Sequence, residues 1–281
     1  MYDGACLSEP AVYQRAVGDL RVTFKRRGDL SVLDDLRQAG CLKARFPRPV
    51  TPGWADVTTL NTSGGVASGD RLFSEFAVGP GARATVSAQA AERFYRAPAG
   101  GLPSFVRTRI DVADGAAAEW LPQETILFDN CALDRRLEIN LAPDAWFLGI
   151  ESLVFGRAAM GERVEQAWLR DSLRVRRDGR WLMHDAVRMD GPVAAMLSRT
   201  AVAAGARAVA TLLHVAPDAA AFLTPVREAL EENGAETGVS AWNGMLVARM
   251  LAPDSARLRL AVAAALNVIR APRPLPRVWM C

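Results

Sequence analysis

The stretch VRTRIDV, residues 106–112, decides the fold class because β-branched side chains alternate with charged ones. Val106, Thr108, Ile110 and Val112 fall on one face of an extended chain, with charged residues on the other. Residues 20–24 and 137–141 repeat the alternation. A period of two indicates a strand with one buried face. These segments therefore predict a protein built mainly from half-buried β-strands.

Turn-forming residues separate the alternating segments. Glycine and proline stand at residues 64–65, 79–81, 100–101 and 115, and Asp178-Gly179 predicts a tight hairpin turn. No helical period and no repeat of fixed length is found between residues 20 and 200. We therefore predict a β body over about residues 15–200.

The last third of the chain predicts a small α+β part over about residues 201–281, within one domain spanning 1–281. Residues 203–215 look like a strand, and Asp218 is a candidate N-cap for a helix that ends at Asn233-Gly234. Asn243-Gly244 predicts a second hairpin. Asp254 is a candidate cap for a second helix, which has one apolar side. Leu258, Val262, Leu266 and Ile269 form that side.

Composition excludes several classes of protein. The chain has 281 residues, 50% of them hydrophobic, and a formal net charge of +3. The charges are dispersed, which argues against a nucleic-acid partner. Neither a membrane span nor a secretory signal is predicted. The four cysteines, Cys6, Cys41, Cys131 and Cys281, form no Cys-x-x-Cys pair. We therefore expect a cytoplasmic protein without a zinc knuckle.

Residues for catalysis are scarce. The two histidines, His184 and His214, lie in apolar segments that resemble strands. A hydrolase could use the Ser63 loop with a histidine and Asp185, but no Gly-x-Ser-x-Gly elbow supports that alternative. A metal-storage protein is a third reading, and it would require tight Ni²⁺ binding by the chain alone.

Three ordered motifs resemble the urease accessory protein family UreD, also called UreH. They are LNTSGG followed by GDRL at residues 60–72, QAAERFYR at 89–96 and WLPQETILF at 120–128. Further similarity lies at residues 156–162 and 275–279. The sequence has Ala67-Ser68 where the family more often has a glycine, and Cys41 ahead of KARFP. The motif residues are Asn61, Thr62, Ser63, Gly64, Gly65, Gly69, Gln89, Tyr95, Arg96, Trp120, Pro122 and Gln123.

The resemblance implies a right-handed β-helix-like stack of sheets with two helices. It implies a non-catalytic scaffold that joins UreF and the GTPase UreG in a hetero-oligomer and delivers nickel to the urease apoprotein. An apolar surface patch would meet UreF. Phe94, Tyr95, Arg96 and Trp279 are of the types that interfaces favour, and the three aromatic residues fit a core role equally well. No tightly bound cofactor is expected, and Ni²⁺ would bind only transiently.

Carboxylates are the expected ligands on a nickel path, because thiolates would hold Ni²⁺ too tightly for release. The family's proposed internal tunnel and the acidic residues in or near the motifs suggest a set of candidates. Neutralising Glu119 or Glu162 is predicted to reduce nickel loading while UreF binding survives. Cys131 is a lesser candidate as a soft ligand, and Cys281 as an exposed, oxidisable thiol. The candidate path carboxylates are Asp70, Glu119, Glu124, Asp129, Glu151 and Glu162.

Overall fold

The computed structural model describes residues 14–231 and 234–280. Cys6, Cys281 and Asn233, on which sequence predictions fall, lie outside the described residues. Strands dominate this part of the chain. They are β1 (Val17–Arg27), β2 (Leu30–Gly40), β3 (Leu42–Arg45), β4 (Ala55–Asn61), β5 (Arg71–Val78), β6 (Arg83–Ala88), β7 (Glu92–Phe94), β8 (Ser104–Val112), β9 (Ala117–Leu121), β10 (Thr125–Leu127), β11 (Ala132–Leu141), β12 (Trp146–Phe155), β13 (Gln166–Arg177), β14 (Arg180–Pro192), β15 (Ala208–Val215), β16 (Glu236–Trp242) and β17 (Met245–Ala252).

Three α-helices accompany the strands: α1 (Val193–Ser198), α2 (Leu223–Leu230) and α3 (Ser255–Arg270). Short 3₁₀ turns occupy Ala158–Met160, Ala219–Phe222 and Arg277–Trp279. Two helices lie in the C-terminal part, as the sequence predicts. The short α1 lies inside the predicted β body, and it has too few turns to give a helical period.

The strands form two sheets. The first sheet has the order β14-β13-β11-β8-β5-β1-β2, and the second has β16-β17-β15-β12-β9-β6-β4-β3, with β10 and β7 joined to β12. From β4 to β13 the long strands alternate between the sheets, and neighbours within this stretch are parallel. The protein is therefore mainly β. The right-handed winding implied by the resemblance stays a prediction.

Two apolar layers hold the fold together. One lies between the sheets, where Phe24, Phe76, Leu133 and Ile139 are at most 2% exposed. The other lies between the second sheet and the helices α2 and α3. Because β12 contributes to both layers, it is buried on both faces.

The predicted hairpin turns and the cap of α3 are present, whereas Asp218 precedes a 3₁₀ turn, makes no capping hydrogen bond and does not cap α2. Asp178 and Gly179 have φ of 51° and 69°, and Asn243 and Gly244 have φ of 50° and 70°, as type I′ hairpins require. The side chain of Asp254 accepts a hydrogen bond from the backbone N–H of Arg257 and caps α3.

Two boundaries differ from the sequence predictions. The strand expected from residue 203 begins at Ala208. Helix α2 begins at Leu223 rather than just after Asp218, and it ends at Leu230 rather than near Gly234. Among the described residues, no helix has the length and apolar character that a bilayer crossing requires.

Candidate functional site

Two cavities lie between the sheets. The first has a volume of about 270 Å³ and the second about 380 Å³. Strands of both sheets line each cavity, with β4, β5 and β8 at the first and β13, β14 and β17 at the second. The two linings share Arg135, Leu137 and Glu151. The two cavities are therefore adjacent at these residues, a place that we call the junction.

Arg135 is held at this junction by two carboxylates. Its Nε and Nη2 donate to Asp171 Oδ1 and Oδ2 at 2.9 and 2.6 Å. Its Nη1 lies 2.7 Å from Glu151 Oε2 and donates to Thr125 Oγ1 at 2.8 Å. Trp120 Nε1 donates to the other oxygen of Glu151 at 2.6 Å. The guanidinium is thus fixed on three sides by oxygen acceptors.

The electrostatics at the junction favour a positive charge. Although burial alone would lower it, the neighbouring Asp171 and Glu151 hold the pKa of Arg135 above its ordinary value. Burial raises the pKa of Glu151, and the Arg135 charge opposes that rise. Two carboxyl groups thus face a single guanidinium at the junction. The junction is therefore a place where a cation is electrostatically favoured.

Each cavity carries one further carboxylate. In the first cavity, burial raises the pKa of Glu92 to about 7, while Asn61 Nδ2 donates to its two oxygens at 3.3 Å and partly offsets the rise. In the second, Asp185 Oδ2 lies 2.8 Å from Arg249 Nη2. Acidic groups therefore line both cavities as well as the junction.

The nickel-path candidates that the sequence suggests omit Arg135, Asp171, Asp185 and Glu92, and Asp185 enters only the hydrolase alternative. A signal for two of them exists. Arg135 stands between the buried Leu133 and Leu137, and Asp171 stands between the buried Leu169 and Leu173. A charged residue on the apolar side of an alternating strand must find an opposite charge or a polar cavity. Such positions therefore indicate interior polar sites.

Seven of the twelve motif residues surround the first cavity. They are Asn61, Gly64, Gly65, Gln89, Trp120, Pro122 and Gln123. Tyr95 braces this wall from outside the lining, because its hydroxyl donates to the Gly64 carbonyl at 2.6 Å. Motifs that are separate in sequence thus meet at one place.

The motif at 120–128 is tied to residues 275–279. Gln123 Nε2 donates to the Val278 carbonyl at 2.8 Å, and Trp279 Nε1 donates to the Leu121 carbonyl at 3.0 Å. Arg259 of α3 donates to Gln123 Oε1 at 2.6 Å and to the Trp279 carbonyl at 2.9 Å. These contacts seat the C-terminal segment against the wall of the first cavity.

Of the six candidate carboxylates, Glu151 lines both cavities, and the other five lie outside these two linings. Asp70 accepts hydrogen bonds from the backbone N–H groups of Ala16 and Ala67 at 2.8 and 2.7 Å. Glu124 Oε1 accepts from Arg259 Nη1 at 3.1 Å. Both carboxylates hold neighbouring chain segments in place.

Glu119 is fully buried between the second sheet and the C-terminal segment. It accepts two hydrogen bonds of 3.0 Å from Arg270 and one of 2.8 Å from Thr85 Oγ1. Arg273 Nη1 lies 2.7 Å from Glu119 Oε1, without the alignment of a hydrogen bond. Two arginines therefore neutralise this carboxylate.

Asp129 and Glu162 form a second linked pair. Although burial raises it, backbone hydrogen bonds from Gln166 and Glu165 hold the pKa of Asp129 below its ordinary value. The hydrogen bond from Arg157 Nε, 2.7 Å long, lowers the pKa of Glu162. Glu162 Oε1 also accepts from the Asp129 N–H at 3.5 Å. Both groups are ionised and committed to local contacts.

Comparison with known proteins places the chain in a family. The sequence model for the UreD urease accessory protein matches residues 16–280. The chain belongs to the UreD family. The protein called Urease accessory protein UreD in Xanthobacter autotrophicus is 46% identical over 275 residues, 98% of this chain and 93% of that protein. Its namesake in Azorhizobium caulinodans is 46% identical over 266 residues, 95% of this chain and 97% of that protein.

The alternative of a hydrolase finds no support in this UreD-family chain. Ser63 Oγ lies 2.5 Å from Asn61 Oδ1 and 2.8 Å from the Gly65 carbonyl, so its single proton is engaged. His214 is 0% exposed and bonds through Nδ1 to the Phe147 carbonyl at 2.9 Å. Across residues 14–231 and 234–280, no hydrogen bond joins Ser63 to either histidine.

The remaining sequence candidates divide between core and surface. Phe94 and Trp279 are buried, whereas Arg96 is exposed and pairs with Asp129 at 3.3 Å. Burial raises the pKa of the Cys131 thiol to about 12, so it is protonated at neutral pH. Within the described part of this UreD-family chain, no group of three or more His, Cys, Asp or Glu side chains is placed to hold a metal ion.

Proposed function

We propose that this chain is a non-catalytic factor for urease maturation, and that nickel passes through its two interior cavities. It would act in the cytoplasm within a hetero-oligomer of UreF, the GTPase UreG and the urease apoprotein. Family membership supports the maturation role, because the similar proteins are named urease accessory proteins. Nickel is cargo in this scheme, and Glu151 is the candidate carboxylate of the passage.

The observation that carries the proposal is the cluster of Arg135, Glu151 and Asp171 where the cavities meet. Without cargo, the guanidinium neutralises one of the two carboxylates, which keeps the buried charge small. A divalent cation that arrives can draw on the same carboxylate oxygens. Oxygen ligands bind Ni²⁺ more weakly than thiolates or imidazoles, so the ion can be released again.

Asp171 and Asp185 extend the proposed path into the second cavity. Asp171 shares Arg135 with Glu151, and Asp185 stands further along the same lining with Arg249 as its counter-ion. A role in nickel passage for Asp70, Glu119, Glu124, Asp129 and Glu162 stays a prediction. Because these five carboxylates are engaged in local hydrogen bonds, their effect on stability should be measured first.

The experiment compares Glu151→Gln with Glu165→Gln in cells that express the cognate urease operon. Glu165 is an exposed carboxylate whose side chain is 62% exposed. We expect Glu151→Gln to lower the nickel content of purified urease at least about fivefold, and Glu165→Gln to leave it within twofold. Pull-down of UreF by each variant controls for folding. Unchanged nickel content with Glu151→Gln would contradict the proposed path.

The maturation role has its own test, which is removal of the chain from the same operon. Urease that is poor in nickel and recovers when the chain is restored would support the role. Fully loaded urease in the absence of the chain would contradict it.

A further inference from the structure

The outer face of the first sheet concentrates positive charge. The outward positions of β5, β8, β11, β13 and β14 carry eight arginines and five carboxylates, as the strand registers show. This excess of three positive charges equals the formal net charge of +3 of the whole chain. The arginines are Arg71, Arg107, Arg109, Arg136, Arg170, Arg174, Arg176 and Arg188, and the carboxylates are Glu75, Asp111, Asp134, Glu138 and Asp190. We call this surface the arginine face.

Part of the arginine face is already neutralised by pairs on the sheet. Arg107 lies 2.8 Å from Asp134, and Arg109 lies 2.8 Å from Asp111. Glu138 lies 3.3 Å from Arg174 and 3.7 Å from Arg136. In the part of the chain that the structure describes, Arg71, Arg170, Arg176 and Arg188 have no carboxylate within ion-pair distance.

Three of these four arginines lie in a single row across the sheet. The register runs from Arg71 through Phe105 and Asp134 to Arg170 and Arg188. With neighbouring strands ~4.8 Å apart, the row is about 19 Å wide. It therefore presents three unneutralised guanidiniums within the width of a typical protein contact.

Aromatic rings hold two of these guanidiniums in place. Arg71 Cζ lies 6.0 Å from the ring centres of both Phe73 and Phe105, and Arg170 Cζ lies 4.7 Å from that of Trp168. A stacked guanidinium keeps the N–H donors at its edge free for bidentate pairing with a carboxylate. Arginine and aromatic residues are also enriched in protein interfaces.

We propose that the arginine face binds an acidic protein surface, whose carboxylates pair with Arg71, Arg170 and Arg188. The inference rests on the proposed function in one respect: the natural partner is a member of the urease maturation assembly. The five carboxylates interspersed on the face disfavour a nucleic acid, because its phosphates would be repelled at each of them. A protein partner can instead place its basic residues opposite these carboxylates.

The test uses the full chain with two triple variants of equal net charge. Arg71→Glu/Arg170→Glu/Arg188→Glu reverses the row. The matched control, Arg27→Glu/Arg48→Glu/Arg199→Glu, reverses three exposed arginines elsewhere. Fluorescence anisotropy with labelled poly-L-glutamate at ~0.05 M ionic strength supplies a probe that does not depend on urease, since screening is weak there. Circular dichroism confirms that both variants fold.

We expect the row variant to bind poly-L-glutamate at least about tenfold more weakly than the control variant. We also expect slower association with purified UreF, UreG or urease apoprotein, since charge reversal acts mainly on the association rate. Equal binding of poly-L-glutamate by the two variants would overturn the proposal. Tighter binding of a 20-nucleotide RNA than of poly-L-glutamate by the unmodified chain would overturn it in favour of a nucleic acid. Neither readout depends on urease nickel content, which tests the proposed function separately.

Discussion

Glu119 and Arg270 are 151 residues apart in the chain and are joined by two hydrogen bonds of 3.0 Å each. The side chains are 0% and 2% exposed, so solvent does not screen the pair. The bond connects β9 of the second sheet to the last turn of α3. Removal of one partner would leave the other charged and buried, which is the costly way to break such a pair.

We therefore predict that Glu119→Gln destabilises the protein by about 3 to 5 kcal/mol, because Arg270 and Arg273 lose their counter-charge. Urea unfolding measures the effect. Glu165→Gln, which alters an exposed pair 3.8 Å long, serves as the control and should change stability by less than about 0.5 kcal/mol. Equal stability of the two variants would show that the buried pair does not hold the C-terminal segment.

The raised pKa of Glu92 predicts that the protein loses stability as pH rises. Burial raises its pKa to about 7 from the ordinary 4.5, so between these values the folded chain holds a proton that the unfolded chain has released. Its contribution therefore declines from pH 4.5 to about 7 and is constant above. As pH rises from 5 to 8, we expect the free energy of unfolding of Glu92→Gln to increase by roughly 1 to 3 kcal/mol relative to that of the unmodified chain. A difference independent of pH in urea unfolding would contradict this.

The lowered pKa of His214 predicts the opposite dependence of stability on pH. Burial lowers its pKa below the ordinary 6.5, and the hydrogen bond to Phe147 only partly offsets this. Below pH 6.5 the unfolded chain therefore binds a proton at this histidine that the folded chain does not bind. The free energy of unfolding falls as pH decreases through that value, by at most ~1.4 kcal/mol per pH unit. His214→Gln should flatten this slope in unfolding experiments between pH 7.5 and 5.5.

The exposed His184 provides the control for His214. His184→Gln measures what replacement of a surface imidazole does to unfolding, so that a different result with His214→Gln can be assigned to burial. If both histidine variants keep the full slope, another group causes the acid sensitivity.

Gly65 and Gly64 form a matched pair at the first cavity. Both have positive φ, 142° and 78°. A Cβ at Gly65 would lie 2.5 Å from the Tyr95 ring, whereas a Cβ at Gly64 meets nothing within 4 Å. We expect Gly64→Ala to cost about 1 kcal/mol from backbone strain and Gly65→Ala at least about 1 kcal/mol more. Thermal unfolding distinguishes them, and equal costs would show that Tyr95 moves away freely.

The strands, the hairpins and the cap of α3 could be predicted because they depend on neighbours in sequence. The alternation in residues 106–112 places Ile110 inside and Arg109 outside, as observed. Asp178-Gly179 and Asp254 act within a few residues of themselves. The sequence placed the end of α2 at Gly234, which has a positive φ of 67°, whereas the last helical residue is Leu230.

The site was harder to predict because its residues meet through tertiary contacts. Acidic residues in or near the motifs are the candidates that the sequence suggests, and they include Glu151. They do not include Asp171, because the link between the two passes through Arg135 on a third strand. Pairing of parallel strands fixes which distant residues face each other, and no local spacing contains that information.

The contacts that seat residues 270–279 against the motif at 120–124 also set an order for synthesis on the ribosome. The partners of Glu119, Leu121 and Gln123 are made about 150 residues later. Until those residues emerge, the Glu119 carboxylate and the wall of the first cavity lack their partners on the nascent chain. Completion of the interior is therefore a late event in translation, and a chaperone that shields this surface would find it exposed throughout that interval.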